Sequence, residues 1–182
     1  MKTDLIAEQI AWLDDIITNP DNLRLFENPV HTEIATDLAD CWKTENRLDF
    51  LNALADAYNE NNVLQVIDTI IAENCRKNWA QAGQETENSM DKFIEMLWKP
   101  LIREGFVYTY NRTGNVTKFR VTKCPMAELA HKIGAEKWLY HLVCLTDGPS
   151  ISGFNPAIHF SRTRTIMQGC ADCDHTYTDN SI

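Results

Sequence analysis

Between Phe160 and His175 the chain gathers the side chains best suited to chemistry: Arg162 and Arg164, Cys170 and Cys173, Asp172 and Asp174, and His175. A thiolate is a nucleophile and a metal ligand, and an imidazole moves protons near neutral pH. A carboxylate orients cations, and a guanidinium grips an anion with two parallel hydrogen bonds. Such groups are costly to hold in a folded interior without partners. A stretch this rich in them is where an active site is expected.

Read as an extended strand from Ala157 to Met167, this segment puts Ile158, Phe160, Arg162, Arg164 and Ile166 on one face. His159, Ser161, Thr163, Thr165 and Met167 fall on the other. Two guanidiniums between apolar neighbours suit a face that meets a small anion. The plainer alternatives are a solvated face, or pairing of the arginines with Asp172 and Asp174 on a neighbouring strand. In the second strand, Cys173 to Thr178, Cys173 and His175 share one side, and Asp172 and Asp174 the other. A thiol activated by an imidazole or arginine is a competent nucleophile, and a carboxylate can bind an amidine or steer a water.

The six cysteines allow a different use. Cys170 and Cys173 form a CxxC pair, and His141 and Cys144 an HxxC pair on a helix, both at zinc-ligand spacing. With Cys124 upstream, a metal site of Cys124, Cys144, Cys173 and a histidine such as His141 is one candidate. Single buried cysteines more often pack as small hydrophobes. Cys41 and Cys75, inside helical patterns, are assigned to that role.

These residues must be positioned by a scaffold, and its pattern changes partway along the chain. An acid-bearing helix begins near Met1, with Leu5, Ile6, Ile10, Leu13 and Ile17 at helical spacing before Asn19-Pro20. Further helices are expected over His31–Trp42, Glu45–Asn59 and Val63–Trp79. A fifth starts near Asn88 or Ser89, is reset at Pro100 and is closed by Gly105. A hairpin follows, Phe106–Tyr110 with Val116–Val121 around Asn111–Asn115. Next come a helix from Met126 to about Thr146 that Gly134 can break, a loop over Asp147–Pro156, and the two strands joined across Gly169. The expected fold is α+β: an N-terminal helical bundle packed with a small antiparallel β-sheet and one long helix. The reading is one domain over 1–182, with a helical part (1–105) and an α+β part (106–182) carrying the site.

The net charge of −9 is unevenly spread. Residues 1–105 carry 9 basic and 20 acidic side chains, and residues 106–182 carry 8 and 6. The acidic half would repel nucleic acid, so no nucleic-acid partner is expected, whereas a small anionic substrate suits the C-terminal half. Neither a secretory signal nor an apolar run of the ~20 residues needed to span a bilayer is apparent. The expectation is a cytoplasmic protein without a membrane partner, its cysteines thiols or metal ligands. A homo-oligomer is compatible with the sequence.

Over roughly the last sixty residues the chain resembles the L-2-amino-thiazoline-4-carboxylic acid hydrolase family. Cys124-Pro125 matches the Cys-Pro that opens a helix there, and Cys144 with Asp147 matches the Cys and Asp that follow it. Phe160, Arg162, Thr163, Thr165 and Gly169 match its aromatic-x-Arg-Thr-x-Thr strand and the glycine beyond. Cys173-Asp174 and Tyr177 match its closing motif. The chain departs from the pattern in His175, in the additional Cys170, and in Ile166 and Met167.

The resemblance implies ring opening of a cyclic amidine carboxylate at a C–N or C–S bond, giving a carbamoyl-cysteine. Arg162, with Arg164, Thr163 and Thr165, would hold the substrate. Cys173 would attack, Asp174 bind the amidine and His175 carry the proton. Asp172, Asp174 or His175 would activate water if the thiol does not attack. For these to face one pocket, a bulge near Gly169-Cys170 or a strand end at Asp174 is required. The alternative is a small-acid-binding sensor module with a structural zinc on the Cys/His set. The cofactor expected from sequence is none, or zinc.

Overall fold

Asparagine side chains open successive helices in the first half of the chain. A computed structural model describes residues 5–181, with side chains from residue 8 onward. The expected helix start at Met1, and the roles of Leu5 and Ile6, therefore lie outside the described residues. Helix α1 (Leu5–Ile17) is followed by a 3-10 turn (Pro20–Leu25), α2 (Pro29–Cys41), α3 (Arg47–Tyr58) and α4 (Glu60–Glu85). Asn19, Asn28, Asn46 and Asn59 each accept a backbone N–H at the start of the next element, satisfying donors that a helix leaves unpaired. Asn59 does so at φ 71°, a left-handed conformation that lets α4 begin directly after α3.

Helix α4 is the axis of the bundle. Val63, Val66, Ile67, Ile70 and Ile71 are buried on its apolar side against Leu13, Ile17, Ile34, Leu38 and Leu54. It extends past the expected end at Trp79 because another helix crosses it there. That helix, α9 (Asp147–Phe154), occupies the segment read from sequence as a loop. Gly148, Pro149 and Gly153 look like helix breakers, but Pro149 sits in the first turn, where its missing N–H is harmless. Gly153 and Gly83 lie at the crossing. A Cβ on Gly153 would stand 2.4 Å from the Arg76 carbonyl oxygen, and one on Gly83 would stand 2.4 Å from that of Phe154. The glycines are selected by close approach.

Helix α5 (Met90–Phe93), a π-helical turn (Ile94–Trp98) and α6 (Lys99–Arg103) follow one another without a break, opened by Ser89. In a plain α-helix the Pro100 ring would meet the Met96 carbonyl. Here the preceding turn widens, and Lys99 N–H bonds back five residues to Ile94.

Strands β1 (Val107–Thr113), β2 (Val116–Lys123), β3 (Ile158–Ser161) and β4 (Cys173–Asp179) form one antiparallel sheet in the order β1-β2-β4-β3. The first hairpin is tighter than expected: Thr113 pairs with Val116, leaving a two-residue turn at Gly114 (φ 57°) and Asn115. One sheet face packs on the α5–α6 segment and α9 through Phe93, Trp98, Phe119, Phe154 and Tyr177. The helix expected from Met126 breaks at Gly134 (φ 68°) into α7 (Pro125–Ile133) and α8 (Glu136–Leu142), and a 3-10 turn (Cys144–Thr146) leads into α9. The fold is α+β. Among the described residues no helix is long and apolar enough to cross a membrane.

Candidate active site

Alternation along β4 decides which of its residues can meet a ligand in the interior. Cys173, His175 and Tyr177 point into the protein, and Asp174 and Thr176 point away. The inward face borders a cavity of about 150 Å³. The π-turn and α6 contribute Trp98 and Leu101, β2 Val121, the residue that opens α7 Cys124, and the turn before α9 Cys144 and Thr146. Asp147 at the start of α9, and Arg162 just beyond β3, complete its polar side with His175.

Asp147 organises this side. Its Oδ2 accepts from Arg162 Nη1 and faces His175 Nε2 at 3.2 Å. Arg162 is 8% exposed and lies over the Tyr140 and Phe160 rings, 5.8 and 5.9 Å from their centroids. Burial opposes its charge, but Asp147, with Cys144 and Tyr140, outweighs that and raises its pKa. Facing a carboxylate, His175 Nε2 carries the proton, so in the neutral ring Nδ1 is the acceptor. That Nδ1 is buried and has no hydrogen-bond partner among the described residues. Trp98 Nε1 and Tyr177 Oη are orphaned in the same way.

Cys124, Cys144 and Cys173 share this cavity, as their segment order implied. Burial raises all three thiol pKa values: Cys173 is pushed up to about 11, even though Ile166 N–H donates to its Sγ at 3.2 Å. For Cys144 the Asp147 charge adds to burial. At rest these are thiols. His141 is not with them, since its Nδ1 bonds Asp68 Oδ1 at 2.7 Å on α4. Cys170 is exposed and Cys173 buried, so the CxxC pair does not converge. Among the described residues no group of three or more His, Cys, Asp or Glu side chains is placed to hold a metal ion. The expected zinc set thus does not assemble. Cys75 is buried, its Sγ 3.0 Å from Ser150 Oγ across the α4–α9 contact, but Cys41 is exposed at the end of α2, where Trp42 takes the inward position instead.

The strand expected to run to Met167 leaves the sheet at Arg162 because a side chain takes over its backbone. Asp174 accepts from Thr163 N (2.9 Å), Thr163 Oγ1 (2.6 Å), Arg164 N (2.8 Å) and Arg164 Nη1 (3.3 Å). Burial works against this carboxyl, yet the Thr163 and Arg164 donors hold it down to about 2. Asp172, also lowered, accepts from Arg164 and from Arg120 Nε at 2.7 Å. Thr165 caps a 3-10 turn (Ile166–Gln168), accepting from Gln168 N, and Gly169 ends it at φ 86°. Arg164, Asp172, Asp174, Thr163 and Thr165 therefore fasten the 162–172 segment that holds Arg162 in place. The pairing of Arg164 with the two aspartates is the plainer alternative raised by the sequence. Asp147 and Trp98 were not singled out for the site. The Cys144–Asp147 spacing was the available signal for the first, and Pro100 in a helix, marking a distorted turn, for the second.

The sequence matches no curated protein and no solved structure. A family profile does match, over residues 45–177, which extends the similarity from the last sixty residues into the helical half. The matched region holds Trp98, the three cavity cysteines, Asp147, Arg162 and His175. The chain belongs to the L-2-amino-thiazoline-4-carboxylic acid hydrolase family.

Proposed function

We propose that this protein hydrolyses a small cyclic amidine carboxylate of the 2-amino-thiazoline-4-carboxylate type, with His175 as general base. The observation that carries this reading is the pairing of buried His175 with half-buried Asp147: the outer nitrogen of the ring, Nδ1, has no hydrogen-bond partner among the described residues and belongs to a side chain lining the cavity. A carboxylate that orients an imidazole while the far nitrogen faces the reacting atoms is the logic of a hydrolytic dyad.

The substrate carboxylate pairs with Arg162, whose fork offers five N–H donors. Water attacks C2 of the ring as His175 Nδ1 takes its proton, and Asp147 stabilises the imidazolium. The new C–O bond becomes the carbonyl as the C2–S bond breaks. The ring nitrogen keeps one proton, the departing sulfur receives the other as a thiol, and the product is N-carbamoyl-cysteine. Cys124, Cys144 and Cys173 wall the reaction space as uncharged thiols.

A second reading, attack by the Cys173 thiol, is favoured by the Ile166 N–H bond to its sulfur and by its position two residues from His175 on the same strand face. His175 would then take the thiol proton. Incubation with L-2-amino-thiazoline-4-carboxylate should release one thiol per N-carbamoyl product. Absence of both products contradicts the hydrolase reading. Acid-quenched intact mass separates the two routes, because a substrate adduct on Cys173 forms only in the second.

A further inference from the structure

The π-helical turn presents a buried indole N–H, that of Trp98, without a hydrogen-bond acceptor among the described residues. Trp98 is 3% exposed, lines the cavity and is stacked on Phe119, with ring centroids 3.9 Å apart and planes 12° apart. The indole N–H can only donate, and a buried donor without an acceptor is destabilising. Tyr177 Oη lies near enough to the indole to interact with it, yet neither atom has a hydrogen-bond partner among the described residues. A π-turn is itself a less favourable local geometry that recurs at functional sites. Here it sets the last residue before the Lys99-Pro100 step against Arg162 and His175 in one cavity.

We propose that Trp98 is a specificity-determining residue that donates its indole N–H to an acceptor atom of the bound substrate, a ring heteroatom or carboxylate oxygen. The substrate class is thereby narrowed, within the hydrolase reading on which this inference rests. Asp147 is an acceptor at one end of the cavity, and Arg162 and Trp98 are donors. The ligand that satisfies all three carries N–H groups on one side and acceptors on the other, as an amino acid-derived cyclic amidine does. Apolar rings of the same size would leave the donor unpaired and be rejected.

The test is indole ¹⁵N NMR of the whole protein, which has five tryptophans. The Trp98 signal is identified by its loss in Trp98→Phe, or by its contacts with the Phe119 ring. Saturation with L-2-amino-thiazoline-4-carboxylate, or with N-carbamoyl-cysteine, should move the Trp98 indole proton downfield. Trp98→Phe keeps the stacked ring, so it should lower kcat/KM about tenfold, mainly through KM. Its melting temperature without ligand should be unchanged or higher, because an unsatisfied buried donor has been removed. A Trp98 signal that neither compound moves overturns the inference, whether or not turnover occurs. So does a Trp98→Phe variant that melts lower with unchanged kcat/KM. A Trp98 signal already shifted in ligand-free Tyr177→Phe would identify the hydroxyl as its partner and also overturn it. A signal that moves without any hydrolysis defeats the hydrolase reading and leaves this inference standing.

Discussion

Within the cavity one carboxylate, one guanidinium and one imidazole carry the polar chemistry, while burial holds the three thiols in their protonated form. The neighbouring acids have a different task. Asp174 binds two backbone amides and a hydroxyl, and its pKa of about 2 lies below the ordinary 3.8. Because the folded value is depressed, its stabilisation is present above about pH 4 and is lost as pH falls toward 2. Asp172 acts in the same direction. Asp174→Asn should lower stability at pH 7 by roughly 1–3 kcal/mol and flatten the pH dependence between 4 and 2, measured by urea denaturation across that range. An unchanged slope would contradict this role. That Cys173 and His175 share an inward face was legible from strand alternation. That the Asp174 carboxylate binds the 163–164 backbone was not, because alternation gives the face of a residue but not whether a neighbouring backbone will claim it.

Asp147 and Arg162 are placed by the ends of elements, the start of α9 and the end of β3, and the seat of α9 is set by small residues. Helix α9 lies close on α4 only because Gly153 and Gly83 carry no side chain. Gly153→Ala would drive a methyl into the Arg76 carbonyl. It should therefore cost about 1–3 kcal/mol and reduce turnover by displacing Asp147. A thermal melt and an activity assay of that variant check both effects, and a wild-type melt would show that the crossing tolerates more room than its geometry allows. The same glycines explain why this element could not be read from sequence. Glycine and proline end helices in isolation, and only the packed partner shows that a close crossing selected them.

Across the whole molecule, a change of periodicity from helical to alternating near Gly105 was enough to place a bundle before a sheet. The joining of the π-turn, α9 and β4 around one cavity, with α9 seated on α4, depends on contacts far apart in sequence. The distribution of thiols tests that assembly as a unit. Cys41 and Cys170 are exposed, whereas Cys75, Cys124, Cys144 and Cys173 are wholly or partly covered, and all four have raised pKa values. Native alkylation followed by peptide mass mapping should label Cys41 and Cys170 first, and the other four rapidly only after unfolding. Early labelling of Cys173 would mean that its thiol is more exposed or more acidic than the fold implies.

General-base catalysis at this site depends on the nitrogen of His175 that faces away from Asp147. His175→Gln retains an amide N–H at the position that donates to Asp147 and removes the base at Nδ1. The most direct measurement is kcat for thiazoline hydrolysis by His175→Gln beside Cys173→Ser, both shown to be folded by their melts. The predicted result is a loss of about 10²-fold or more in His175→Gln, with Cys173→Ser keeping most of its turnover. Wild-type turnover in His175→Gln, with activity abolished in Cys173→Ser, would contradict it.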